Sequence, residues 1–320
     1  MTTDTHKIEQ YLGDKARGVL PPRIVEFALF VLKQGWACLF GICLLAAIIG
    51  TKMIWQPHWI IARYDALLVI AVSLQIALLA FKLETWKEAR VILLFHLTGT
   101  AMEVFKVQAG SWAYPEPALF KFYGVPLFSG FMYAAVGSFM ARVIRLFDMR
   151  FTPFPPTWAH FTLATAIYVN FFAHHFLPDV RYVLFALTVV LYIRTRVWFR
   201  IGANWYWMPL PLAAFLSSFF LWLAENIGTG TGTWLYAGQS ALDPVNLAKM
   251  GSWYLLLYVS FATVTLVFRD ALGGARPCPS PTNTRPHQQR QRSAQTTPCP
   301  ERSTTGQSPH PEDQSFQDAR

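Results

Sequence analysis

Residues 103–114 read EVFKVQAGSWAY and residues 225–236 read ENIGTGTGTWLY, so a glutamate, a glycine, a tryptophan and a tyrosine recur at a constant spacing of 122 residues. The two glutamates are Glu103 and Glu225, and each precedes its tryptophan by nine positions. Tryptophan is a rare residue, and the whole frame recurs without a gap. The pattern therefore predicts that the chain contains two copies of one structural unit.

A second match lies nearer the start of each copy. Arg63-Tyr64 precedes one apolar run and recurs as Arg181-Tyr182 before another, at a spacing of 118 residues. Each copy holds four apolar runs, and an even number of membrane crossings gives both copies the same orientation. We predict four segments in chain order: an N-terminal cytoplasmic segment 1–26, a first four-span repeat 27–147, a second four-span repeat 148–272, and a disordered cytoplasmic tail 273–320.

The composition indicates that these repeats lie in a membrane. Of 320 residues, 53% are hydrophobic and 14% are charged, whereas a soluble domain has about 25% charged residues. A helix needs about 20 mostly apolar residues to cross a bilayer. Eight stretches qualify or nearly qualify: 27–49, 66–81, 89–105, 125–147, 157–177, 180–199, 206–227 and 250–268. We therefore predict an all-α polytopic membrane helix bundle of about eight spans, built as a 4+4 parallel repeat, and exclude a soluble enzyme.

The distribution of lysine and arginine predicts the orientation of this bundle. Thirteen of these residues lie in the N-terminal segment and the even-numbered loops, against six in the odd-numbered loops. Positive charges are retained on the cytoplasmic side, so both termini are expected in the cytoplasm. The polar start precedes an apolar run longer than the roughly 7 to 15 residues of a signal-peptide core, so no cleaved signal is expected.

Several functional classes find no support in the sequence. The net charge of +9 comes from short basic groups between apolar runs, unlike the basic patch of a nucleic-acid-binding domain. Cys38 and Cys43 lie in one apolar run, Cys278 and Cys299 lie in the tail, and no metal-ligand spacing is present. We therefore expect no metal, no cofactor and no nucleic-acid partner.

Glu103 and Glu225 are the candidate catalytic residues. An ionisable side chain at membrane depth is energetically costly and usually faces the interior of a helix bundle. The repeat brings the two carboxylates toward a common axis, where they suit general acid/base chemistry or proton-coupled transport. In the alternative interpretation, each glutamate binds the backbone amides and the indole N–H of its own W-x-Y segment and has a structural role.

The candidate binding residues adjoin these glutamates in sequence or share their predicted depth. Aromatic belts at membrane surfaces contain such tryptophans and tyrosines, but a belt does not explain their fixed distance from the glutamate. We therefore predict that a loop in each repeat closes over a pocket near the outer leaflet. For the histidines, a hydrogen-bonded place in the core is the alternative. The candidate binding residues are Trp112, Tyr114, Trp234, Tyr236, His96, Asn226, His174 and His175.

Three segments resemble the YoaT-like bacterial integral membrane proteins, a family of unknown function. They are GTAMEVFKVQAGSWAYPEP at 99–117, PLFSGFMYAAVGS at 126–138 and ENIGTGTGTWLY at 225–236. The resemblance extends over about residues 20–272. It implies a multi-pass protein of the bacterial cytoplasmic membrane and supplies no site residues. The tail beyond Gly274 departs from the family pattern.

A fainter similarity concerns the order of a glutamate, a glycine turn, an aromatic pair and a downstream proline. This order is similar to that in membrane carotenoid hydratases and heterodimeric-type lycopene cyclases, which are thought to protonate an isoprenoid double bond without a redox cofactor. The similarity implies acid candidates at Glu103 and Glu225, and cation-stabilising rings at Trp112 and Trp234.

Three functions are open on the sequence alone. The first is a membrane enzyme or binding protein for a hydrophobic, isoprenoid-like small molecule near the outer leaflet, with membrane lipid as its other partner. The second is a transporter or carrier of a small solute, and many such folds have helices broken near mid-membrane. The third is a structural role.

Overall fold

The computed structural model describes residues 9, 11–13, 15–16, 18, 20–56, 58–240 and 243–272. All of them belong to the unit Met1–Pro277. Part of the predicted segment 1–26 and the whole predicted tail 273–320 lie outside the described residues. The predicted boundary between the two repeats, at 147 and 148, stays a prediction.

Helices hold most of this unit, as the apolar runs predict. The boundaries follow local signals: Thr85 caps the helix Trp86–Gln108, where its hydroxyl accepts from the backbone N–H of Glu88 and the Glu88 carboxylate accepts from the backbone N–H of Thr85. The helices with described bounds are α1 (Pro22–Ala37), α2 (Leu39–Ile54), α3 (Arg63–Ala80), α4 (Trp86–Gln108), α5 (Ser129–Leu146), α6 (Thr157–Ala173), α7 (Arg181–Tyr192), α8 (Leu210–Gly230) and α9 (Ala248–Thr265).

Among the described residues, three helices are long and apolar enough to cross a membrane, namely α3, α4 and α8. The number rises to four if the bent pair α1 and α2 counts as one span. Eight spans are not confirmed, because α6 and α7 have only 17 and 12 residues and α5 contains two arginines. Val69, Leu97 and Leu212 expose apolar side chains on the three qualifying helices. These helices indicate membrane association.

The first predicted span, 27–49, is not one continuous helix. Helices α1 and α2 meet at Cys38 and are bent by 66°. The Arg142 guanidinium donates a 3.1 Å hydrogen bond to the carbonyl oxygen of Trp36, in the last turn of α1. That bond satisfies a carbonyl that a helix end leaves without a partner. The break involves no proline, so no local feature of the sequence predicts it.

The prediction of an all-α fold is wrong in part, because two antiparallel two-stranded ribbons and one antiparallel three-stranded sheet are present. The three-stranded sheet has the order β4 (Arg150–Thr152), β5 (Arg196–Ile201), β6 (Asn204–Pro209), with Trp198 facing both Arg150 and Trp207 in register. The predicted spans 180–199 and 206–227 are therefore shortened to α7 and α8 by β5 and β6. The strands are β1 (Trp112–Ala113), β2 (Lys121–Phe122), β3 (Val125–Pro126), β4 (Arg150–Thr152), β5 (Arg196–Ile201), β6 (Asn204–Pro209) and β7 (Leu235–Tyr236).

The physical reason for this correction lies in the alternation of side chains along β5. Val197, Phe199 and Ile201 are buried, whereas the residues between them are more exposed, and a period of two is the pattern of a strand. Aromatic residues raise the average hydrophobicity of this stretch, so an apolar run there resembles the end of a membrane helix. Gly202, with φ +57°, makes the turn between β5 and β6.

Helices α4 and α5 pack closely through glycines. A Cβ atom added at Gly137 would lie 2.7 Å from the Phe95 ring, and one at Gly130 would lie 2.3 Å from Oγ1 of Thr100. Both distances are shorter than van der Waals contact. The two helices position Glu103 on α4 and Tyr133 on α5 against each other.

We expect Gly137→Ala to lower the free energy of unfolding by about 1–2 kcal/mol. The added methyl group forces the buried Phe95 ring to move, at about 1–3 kcal/mol, which exceeds the roughly 0.5–1 kcal/mol that alanine contributes to a helix. The matched control is Gly50→Ala in α2, where no atom lies within 4 Å of the added Cβ. Denaturant unfolding in detergent would contradict the expectation if both variants were at least as stable as the wild type.

A candidate cavity with paired carboxylates

Helices α4 and α8 end in the same backbone conformation. Gly110 follows α4 with φ +70°, and Gly232 follows α8 with φ +65°. In both segments the amide after the glycine bonds to a carbonyl five positions earlier, at 2.9 and 3.0 Å. Glycine adopts this left-handed conformation without steric cost, which is why it terminates helices so often. The recurring glycine of the sequence frame is therefore explained by how the two helices end.

The segments that follow these helices pair with each other. Strands β1 and β7 form an antiparallel ribbon in which Trp112 faces Tyr236 and Ala113 faces Leu235. The Trp112 and Tyr236 rings also pack edge to face, with centroids 5.8 Å apart. The structure thus brings together the two W-x-Y segments that the sequence places far apart.

Glu103 is held by three donors and is only 2% exposed. Its Oε2 accepts from the Trp112 indole at 2.7 Å and from the Tyr114 hydroxyl at 2.9 Å. Its Oε1 accepts from the Tyr133 hydroxyl at 2.6 Å. Two of these donors belong to its own W-x-Y segment, which is the arrangement that the structural alternative describes. A catalytic role for this carboxylate stays a prediction.

Glu225 is 6% exposed and has two donors. Its Oε1 accepts from the Tyr236 hydroxyl, and its Oε2 accepts from the Trp253 indole at 2.8 Å. Trp234 does not take part, although it is the counterpart of Trp112. Its ring instead covers Gly228, where an added Cβ would lie 1.8 Å from the indole. The second glutamate therefore replaces one donor of the repeated frame by an indole from α9.

Sequence reasoning missed Tyr133 and Trp253. At the spacing of 122 residues their counterparts are Leu255 and Phe131, so the repeat holds no signal for either residue. Only the packing of α5 and α9 brings them to the carboxylates, where their rings lie 6.3 Å apart.

The two tyrosines of the ribbon segments act as donors. Burial raises the pKa of Tyr114 well above its ordinary value, and the neighbouring Glu103 carboxylate raises it further. Burial likewise raises the pKa of Tyr236, with Glu225 adding to the effect. Both phenols therefore stay protonated at neutral pH and donate their protons to the carboxylates.

A cavity of about 1250 Å³ extends from the bend between α1 and α2 to these carboxylates. Gln34 and Cys38 line it near the bend, and apolar side chains of α2, α5, α8 and α9 form most of its wall. The predicted residues on its wall are Glu103, Glu225, Trp112, Tyr114, Trp234, Tyr236 and His174. Most of the predicted site residues thus line one space.

Three predicted binding residues are not on the cavity wall. His96 packs against Phe131 with ring centroids 4.4 Å apart. Asn226 binds the backbone, donating to the Trp222 carbonyl at 2.7 Å and accepting from the Val245 amide at 2.9 Å. His175 lies 2.9 Å from the Lys106 ammonium through Nε2. Among the described residues, no group of three or more His, Cys, Asp or Glu side chains is placed to hold a metal ion.

Comparisons with known proteins agree with the resemblance found in the sequence. A family model described as "Protein of unknown function (DUF817)" matches residues 26–261. The chain is 42% identical over 242 residues to the uncharacterized protein YoaT of Bacillus subtilis (strain 168), an alignment that covers 75% of this chain and 91% of that protein. No solved structure matches the chain. The matched region contains every residue of the cavity wall named above.

Proposed function

The chain belongs to the DUF817 family of proteins of unknown function, and we propose that it is a multi-pass protein of the bacterial cytoplasmic membrane that binds a hydrophobic, isoprenoid-like small molecule. Both termini are in the cytoplasm under this proposal. The Glu103 and Glu225 end of the cavity then lies near the outer leaflet. Membrane lipid surrounds the bundle and is its second partner.

The cavity is the observation that carries this proposal. Its volume of about 1250 Å³ exceeds the roughly 300–1,000 Å³ typical of small-molecule sites. Its wall is apolar over most of its length and polar at the carboxylate end. A long hydrophobic molecule with one polar end fits this distribution. Both oxygens of Glu103 already accept hydrogen bonds, so the geometry favours binding over proton transfer to the ligand.

The helix boundaries support the proposed 4+4 repeat. Helices α2 and α6 begin 118 residues apart, and so do α3 and α7. Helices α4 and α8 end 122 residues apart, which is the spacing of the repeated sequence frame. Helix α1 precedes these matched helices, so the half that they support is shorter than the predicted repeat 27–147, which includes most of α1. The proposal therefore assigns α2 to α5 to one half and α6 to α9 to the other.

We expect Ala224→Trp to remove the hydrophobic molecule that co-purifies with the protein in mild detergent. Ala224 lines the cavity, and an indole there fills space that the ligand occupies. The matched control is Leu212→Trp on the same helix, at an exposed position that is not on the wall. Mass spectrometry of extracts compares the three proteins. The proposal would be contradicted if the amount of bound molecule were unchanged in Ala224→Trp, or if the wild type contained no such molecule.

The bend between α1 and α2 favours a second candidate, transport of a small solute. Broken helices near a substrate site are a recurrent feature of transporters, and Cys38, at the break, lines the cavity. Solute flux into vesicles that contain the protein, lost in Ala224→Trp and kept in Leu212→Trp, would favour transport over binding alone.

A further inference from the structure

Three basic side chains meet at the carboxylate end of the cavity. Lys106 comes from the last turn of α4, Arg181 from the start of α7 and Lys249 from the start of α9, and all three line the wall. Lys249 and Arg181 are close enough to Lys106 to repel its charge. Placing three cations together is unfavourable unless anionic groups compensate for them.

The two lysines are not compensated by direct ion pairs within the part of the chain that the structure describes. The Lys106 ammonium donates to the carbonyl oxygen of Phe171 at 2.6 Å and lies 2.9 Å from the His175 ring nitrogen. The Lys249 ammonium lies 3.9 Å above the Tyr236 ring and donates no hydrogen bond to any of the described residues. Lys249 therefore has donors available to a ligand.

The nearby carboxylates do not take up these donors. Glu225 attracts Lys249 electrostatically, but its two oxygens accept from Tyr236 and Trp253. Asp179, which is not on the cavity wall, pairs with Arg181 at 2.5 Å in a partly exposed contact and attracts Lys106 only electrostatically. An anion entering from the cavity would thus meet unused ammonium hydrogens.

The proposed repeat has no second copy of this cluster. The counterpart of Lys106 is Gly228, and the counterpart of Lys249 is Leu127, at the spacing of 122 residues. These cations are therefore not needed to build a repeat unit.

The third cation, Arg181, has a counterpart in Arg63 that is already neutralised. Arg63 is buried and donates to Glu116 at 2.8 Å and to Thr233 at 2.9 Å. The second half has Gly238 at the position of Glu116. The carboxylate that fixes Arg63 is thus missing beside Arg181, which lines the cavity and pairs instead with the partly exposed Asp179.

We propose that Lys106, Arg181 and Lys249 bind the anionic head group of a single-chain amphiphile whose hydrocarbon chain lies in the apolar part of the cavity. The head group is a phosphate or a carboxylate, since both accept hydrogen bonds from lysine and arginine. This inference rests on the proposed function, because it assigns the polar end of the same ligand.

The test measures binding of farnesyl phosphate and of farnesol to the full-length protein in nanodiscs, by quenching of tryptophan fluorescence. Farnesol has the same chain without the charge. Dodecyl phosphate has the charge on an unbranched chain, and inorganic phosphate has no chain. We expect farnesyl phosphate to bind at least tenfold more tightly than farnesol to the wild type.

Variants of Lys249 test whether the cluster of Lys106, Arg181 and Lys249 causes the preference for farnesyl phosphate over farnesol. In Lys249→Gln the ratio of the two affinities is expected to fall below about threefold, and in Lys249→Arg it is expected to stay near that of the wild type. The matched control is Lys52→Gln, which removes a positive charge close to Gly232 but off the cavity wall. It should leave the ratio unchanged. Thermal unfolding of each variant shows whether a lost preference reflects unfolding.

Each outcome bears on the inference. Equal affinity for farnesyl phosphate and farnesol in the wild type, or an unchanged ratio in Lys249→Gln, overturns the head-group site but leaves hydrophobic binding standing. If an equal concentration of inorganic phosphate displaces farnesyl phosphate, the proposal of an amphiphilic ligand is overturned, since an anion without a hydrocarbon chain then suffices for binding. Absence of binding by all four probes overturns the proposed function as well. Tight binding of dodecyl phosphate supports a site that recognises the charge of the head group.

Discussion

Arg142→Met is expected to lower the free energy of unfolding by about 3–5 kcal/mol, the cost of leaving one charge of a buried ion pair without its partner. The Arg142 guanidinium and the Glu84 carboxylate are both fully buried and lie 2.5 Å apart. Glu84 also accepts from Ser138 at 2.8 Å and from Gln75 at 2.6 Å. These neutral donors do not replace the lost cation.

Thermal and denaturant unfolding in detergent measure this effect. Arg194→Met, at an exposed position, removes an arginine without removing a buried pair and should cost less than about 0.5 kcal/mol. The double variant Arg142→Met with Glu84→Met should recover part of the loss, because an apolar pair carries no buried charge. A single Arg142→Met variant as stable as Arg194→Met would show that the pair does not stabilise the fold.

The second large effect is expected for Glu103→Leu, which removes the carboxylate that accepts hydrogen bonds from one buried and two half-buried side chains. Trp112, Tyr114 and Tyr133 then lose their partner, and each unsatisfied polar group costs about 1–3 kcal/mol. We expect a loss of about 3–6 kcal/mol in the free energy of unfolding. Glu225→Leu, with two donors, should lose less.

Glu103→Gln is the conservative comparison, since its amide oxygen still accepts from one or two of the donors. Its free energy of unfolding should lie between those of the wild type and Glu103→Leu. Extracts of Glu103→Gln analysed by mass spectrometry then report on ligand binding in a folded protein. Equal stability of Glu103→Leu and Glu103→Gln would contradict the role of Glu103 as the acceptor that holds β1 and α5 together.

The repeated frame was the most informative part of the sequence. Its six residues Glu103, Trp112, Tyr114, Glu225, Trp234 and Tyr236 all line one cavity, and their role there stays a prediction. The frame does not predict the different contacts of the two tryptophans: Trp112 donates to Glu103, whereas the Trp234 ring covers Gly228, a glycine that the first segment lacks. Because Gly228 has no side chain, the Trp234 indole can lie against it, whereas the first segment has Lys106 at that position.

Elements that form through contacts between residues far apart along the chain could not be predicted from the sequence. The pairing of β1 with β7 depends on how the intervening helices bring two short segments together, and two residues contain no period from which a strand can be predicted. At the bend at Cys38, a guanidinium from α5 donates to the carbonyl of Trp36, a contact between residues 106 positions apart. In β5, side chains that pack as a strand are apolar enough to be read as the end of a membrane helix.

The register of the β1–β7 ribbon has a consequence for the origin of the fold. Ala113 faces Leu235, its own counterpart 122 residues later, and Trp112 faces Tyr236, the counterpart of Tyr114. This is the register in which a strand pairs with a second copy of itself across a twofold axis, as in an isologous dimer. Under the proposed 4+4 repeat, the chain is therefore two fused protomers that hold their dimer contact at any protein concentration. Fusion also lets each half differ from the other, as Lys106 and Lys249 differ from their counterparts Gly228 and Leu127.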